Sequence, residues 1–267
     1  MAIDEATIGP ATVRAVHPVA AIVRDIARGG LAGLIVGVLV LGPGARIVMR
    51  LHALIVPAAA GMHTENGNLI GTITLGGTIG LLVIAGLAGA IILGVLWVLL
   101  SPWLPGGPIT RGLLAIPVAV ALGAHQLIVL GNQDFIVLRH HPLVVVTLLA
   151  LIAILPVALS VVDAWLDRRL PPGEPGTIAS AGYAALTIVG GSFGTVLVAQ
   201  ALGEGRTRPL GFVMVALGVV TLVSWVRRVS GRPASDSVLV LLGRTIIVAG
   251  TIASVIAVWP ALRFALL

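Results

Sequence analysis

The sequence contains neither cysteine nor lysine; all 16 basic residues among its 267 are arginine. Without cysteine there is no disulfide, no thiolate nucleophile and no thiolate metal ligand. Without lysine there is no Schiff base to retinal or pyridoxal phosphate and no lysine general base, which excludes a seven-helix rhodopsin. Charge of either sign is scarce: Asp, Glu, Lys and Arg make up 10% of the chain, against about a quarter in soluble domains. A phosphate loop, a dinucleotide fingerprint, a His-Glu-x-x-His helix and the paired aspartates of a prenyl or phospholipid transferase are also missing.

What remains is mostly apolar. Hydrophobic residues fill 58% of positions, and the mean hydropathy is +1.13. So apolar a chain cannot cover its surface with polar groups, so lipid must solvate much of it. The excess of 16 basic over 10 acidic residues would suggest nucleic acid in a soluble protein. Here the arginines sit between apolar runs, where the asymmetry of membrane loops already explains them. The bilayer, not nucleic acid, is the expected partner.

A span needs about 20 apolar residues. Segments 26–43, 73–100, 111–131, 142–165, 178–201, 209–226 and 237–262 meet or approach that length. The fold expected is an all-α integral membrane protein, a bundle of about seven transmembrane helices with one outer interfacial helix. Residues 1–25 form a cytoplasmic N-terminal segment and 26–267 a single transmembrane domain. Residues 1–28 lack the apolar core and small-residue site of a signal peptide, so the first span is expected to be retained. Pro43-Gly44 interrupts it early, leaving one broken helix or two elements, of which the fold expected takes two. Residues 45–56 then place Arg46 and Arg50 on one face of an amphipathic helix on the outer leaflet. Asn66-Gly67 marks a tight turn or short hairpin.

With the N-terminus inside, nine arginines fall in inner segments and six in outer ones, which favours a cytoplasmic N-terminus and an external C-terminus at the cell membrane. Trp97, Trp103, Trp165 and Trp225 lie at inner span ends and Trp259 near an outer one, as interfacial residues do.

Glycines four apart (Gly29, Gly33, Gly37; Gly76, Gly80; Gly190, Gly194) allow helix backbones to approach closely in lipid. They are expected in helix contacts within the chain, with self-association or contact with other membrane subunits as the alternative.

Ionisable groups inside the membrane carry a functional hypothesis by default. Arg244 lies about seven residues into the last span, and either snorkels or pairs with Asp163, which shares a face with Asp167. Toward the outer end of span three, His125 and Asn132 share a face, as do Gln126 and Gln133; Asp134, Arg139, His140 and His141 follow. With His52, His63 and Glu65 they form a candidate metal or proton site, or a hydrated loop cluster. Their spacing matches no metal motif, and bis-histidine haem lacks a second embedded histidine unless His52 also lies within the membrane. No cofactor is expected. Gly190-Gly-Ser-Phe-Gly194 fits a serine-nucleophile string but sits inside a membrane helix, not on a strand-to-helix elbow. No catalytic residue is assigned. The reading is a transporter or channel-like protein for a small solute, ion or lipid; the alternatives are a non-catalytic subunit or scaffold, then a membrane-embedded enzyme.

Overall fold

The computed structural model describes residues 17–64, 67, 69–72, 74–127, 136–138, 141–203, 208–233 and 236–266. Among these the chain is helical apart from turns and one isolated antiparallel bridge, His63–Leu69. The bridge and the positive φ of Gly67 (+72°) give the short hairpin its turn. Asn66 lies outside the described residues.

The helices are α1 (Pro18–Val36), α2 (Gly42–Ile55), α3 (Leu75–Leu81), α4 (Gly89–Leu100), α5 (Pro108–Leu127), α6 (Pro142–Arg169), α7 (Ile178–Gly203), α8 (Arg208–Val229) and α9 (Ser237–Leu266). Local chemistry sets their starts. Prolines open α1, α5 and α6, where the missing N–H breaks no helical bond. Thr74 and Asp236 cap the next helices by accepting from Gly77 N–H (3.1 Å) and Val238 N–H (3.2 Å).

The first span departs from expectation. Pro18–Ile55 is one continuous helix of 38 residues, so residues 45–56 are its far end and not a separate outer helix. A π-helical stretch, Gly37–Leu41, makes this possible. There Gly42 N–H bonds to Gly37 O, five residues back, and the wider turn precedes Pro43, which has no N–H to give. A second π stretch, Leu82–Ala88, joins α3 to α4. The two π stretches meet: a Cβ on Gly37 would collide with the Gly86 carbonyl and with Ala90 Cβ.

Among the described residues six helices are long and apolar enough to cross a membrane: Pro18–Ile55, Pro108–His125, Pro142–Arg169, Ile178–Gly203, Leu210–Val229 and Ser237–Pro260. Gly89–Trp103 is apolar but shorter. Their outer faces are as apolar as their core. Ile188, Val189 and Phe193 of α7 and Leu241, Val248, Ile252 and Ile256 of α9 are all exposed. Water would penalise such a surface and hydrocarbon would not, so the chain is a polytopic membrane protein.

Inside, one apolar cluster gathers Val36, Trp97, Trp103, Val118, Leu155 and Leu159; a second, around Val56, Ile70, Val145 and Val258, fills the opposite end. Two close approaches set the layout. Gly33 of α1 lies on α4, where a Cβ would come within 2.5 Å of Ala90 O and Gly94 N. Gly112 of α5 lies on α6, where a Cβ would come within 2.7 Å of Val157 Cα, and Ser160 donates to Pro108 O (2.6 Å) across the same seam.

Candidate functional site

The starts of α1, α5 and α9 and the ends of α4, α6 and α8 meet at one end of the bundle, and charge is concentrated there. Arg24 and Arg28 lie one turn apart on α1; Asp163 and Asp167 lie one turn apart on α6. Opposite ladders therefore face each other. Arg28 Nε binds Asp163 Oδ1 at 2.8 Å, and its Nη1 reaches Asp167. Arg24 binds Asp167 at 2.9 Å and donates to the carbonyls of Asp167, Leu170 and Pro171. Those carbonyls belong to the α6 terminus, so Arg24 satisfies acceptors that the helix leaves open. Asp25 extends the network to α8 through Arg228 at 3.0 Å.

Beside this network is a polar cavity of about 270 Å³, lined by Asp25, Arg28, Arg111, Asp163, Arg228 and Trp103 among others. Its aspartates are already paired with arginines. Arg111, exposed on the first turn of α5, has no carboxylate within ion-pair distance among the described residues. It also sits at the positive end of that helix's dipole, an unfavourable place for a cation. Trp103 is 2% exposed, and its indole N–H has no hydrogen-bond partner among the described residues.

A second cavity, of about 420 Å³, lies one helical turn deeper. The register is the same on three helices. Arg111, Asp163 and Ser101 line the polar cavity; Ala115, Leu159 and Trp97, each four residues away toward the bundle interior, line the deeper one. Its wall is apolar apart from Gln200 and the Trp97 indole N–H, itself buried without a partner.

The pair expected from sequence is not formed. Arg244 Nε donates to the Trp103 carbonyl at 3.2 Å, while Arg28 holds Asp163. Helix order is the reason: α1 packs against α6, so its arginines reach the aspartates first. Arg168 and Arg169, which follow Asp167 in the sequence, form no ion pair among the described residues, and Arg169 lies over the Trp165 ring at 5.5 Å. Arg24 and Arg28 were legible only as a one-turn ladder opposite in sign to Asp163 and Asp167. Arg46 is a further surprise: it is 7% exposed, and among the described residues only its Nη2 has partners, the Thr74 carbonyl and hydroxyl, both at 3.4 Å.

Of the outer polar set, His125 is buried and His52 Nε2 is 3.1 Å from the Thr147 hydroxyl. Gln126 lies in the last turn of α5. Asn132, Gln133, Asp134, Arg139, His140 and Glu65 lie outside the described residues. Among the described residues no three His, Asp or Glu groups converge as metal ligands. Ser192 donates to Ile188 O at 2.9 Å inside α7, so the glycine–serine string is plain helix. Set against protein-family models, curated proteins and solved structures, the chain matches none.

Proposed function

We propose that the protein is a carrier that takes an apolar or amphiphilic molecule from the bilayer into the middle of its helix bundle. The apolar cavity of about 420 Å³ between α4, α5, α6, α7 and α8 supports this reading. Its size suits a small ligand, and its wall offers an ion or a sugar nothing to replace water. In this reading α3, its π stretch and α4 together make a seventh crossing. Arg28 and Arg46 bracket 17 uncharged residues, which rise about 26 Å, close to the hydrocarbon thickness. The charged end then lies at the cytoplasmic face, with the N-terminus inside and the C-terminus outside.

Transfer of a fluorescent single-chain lipid across proteoliposomes tests the carrier. The parent should raise the fraction quenched by an impermeant reductant, and Ala119→Phe, which places a ring in the cavity, should abolish the gain. Equal transfer by both proteins contradicts the carrier, provided both melt alike.

One observation favours a second reading, a subunit that assembles through α7. A Cβ on Gly190 or Gly191 would meet nothing, and only 11% of that helix's apolar window is buried. Cross-linking between cysteines placed at position 190 of two copies in native membranes tests it. No cross-link removes self-association through this face.

A further inference from the structure

The polar and apolar cavities share three helices and one register, one turn apart. We propose that they form one site for an amphiphile with an anionic head group. The head lies beside Arg111 and Trp103, and the chain lies among Trp97, Ala115 and Leu159. The inference rests on the carrier reading and adds the substrate class.

Charge gives the sign of the head. Arg28, Arg111 and Arg228 line the polar cavity against Asp25 and Asp163, three cations to two anions. Asp163 is neutralised by Arg28 at 2.8 Å, and Asp25 by Arg228 at 3.0 Å with Arg28 at 3.5 Å. The surplus is Arg111, placed where the α5 dipole disfavours it. An acidic head group would reverse that penalty.

Hydrogen bonding points the same way. Among the described residues the buried Trp103 indole N–H has no acceptor, which penalises the empty site. An oxygen-rich head supplies the acceptor. Arg244 fixes this wall from behind by gripping the Trp103 carbonyl, which gives the intramembrane arginine a positioning role. Above the head, the apolar wall takes a chain and rejects a second charge.

The test is native mass spectrometry of the full chain, stripped of lipid in detergent. It is then offered equimolar lysophosphatidylglycerol and lysophosphatidylcholine of the same chain length. The parent should retain the anionic lipid about tenfold over the zwitterionic one, the value of one charge-assisted contact. Arg111→Gln should bring the ratio near one, and Arg111→Lys should restore most of it. Ala119→Phe should lose both lipids, and excess glycerol 3-phosphate should displace neither. Equal retention of the two lipids by the parent overturns the anionic head but leaves the carrier standing. Retention of neither overturns both readings. Displacement by glycerol 3-phosphate reduces the site to a phosphate pocket and overturns the amphiphile. A preference unchanged in Arg111→Gln overturns the placement of the head.

Discussion

Gly29, Gly33 and Gly37 on α1 share their four-residue spacing with Gly190 and Gly194 on α7, yet the two ridges have opposite fates. On α1 the glycines are sealed against α4: a Cβ at Gly33 would strike the α4 backbone. On α7 a Cβ at Gly190 would meet nothing, and at Gly194 only ordinary contact with Val95 at 3.4 Å. Gly76 and Gly80 are open as well. Small residues therefore permit close packing without choosing where it happens. Charge makes the choice on α1, because pairing of Arg24 and Arg28 with Asp163 and Asp167 fixes that helix's rotation. On α7 the described residues between Thr187 and Gly203 carry no charged side chain that could do the same.

The largest effect is expected at the sealed ridge. Gly33→Leu forces α1 from α4 and should cost about 3 kcal/mol or more, seen as a collapse in folded yield or melting temperature. Next comes the charge that sets the rotation. Asp163→Asn removes the carboxylate at Arg28 Nε but leaves Asp167 and Asp25 at Nη1, so it should cost about 1–2 kcal/mol, the value of one charge-assisted contact on a partly exposed arginine. A double-mutant cycle with Arg28→Gln should recover much of that loss, and additive losses would show that the pair does not orient α1.

The open ridge should answer weakly. Gly190→Leu in detergent should change stability by no more than about 0.5 kcal/mol. A collapse like that of Gly33→Leu would erase the contrast. The smallest effect belongs to the polar loop beyond α8. Asp236 accepts from the Val238 N–H and pairs with Arg227 at 3.0 Å, which holds its carboxyl below the usual aspartate range. Its contribution is therefore present above the unfolded aspartate value, about pH 4, and is lost as pH falls through the lower folded value. Melting curves of the parent and Asp236→Asn should converge on acidification; a difference that persists at low pH rejects the assignment.

Most span limits were legible because length and hydropathy are local properties. The observed helices from α5 to α9 start within three residues of the expected spans, and α6 to α9 end within four. The first span was not, since Pro43-Gly44 reads as a stop unless a π turn precedes it. Nothing in the apolar string Gly37-Val-Leu-Val-Leu41 announces that turn. Of the charged site, the sequence singled out Asp163 and Arg244 but not Arg24, Arg28, Arg111 or Arg228, and not the pairing. Arg244 and Asp163 stood out by depth, yet which helix neighbours which is decided by packing between distant segments. The cavities were invisible for the same reason, because their register emerges only when α4, α5 and α6 are aligned.

The most direct measurement of the central claim is an electron microscopy structure in nanodiscs made with single-chain anionic lipid carrying a brominated tail. The account expects tail density among Trp97, Ala115 and Leu159, with head-group density one turn away beside Arg111. A bundle whose side chains close that space, with bromine density confined to the outer face of the helices, would contradict it.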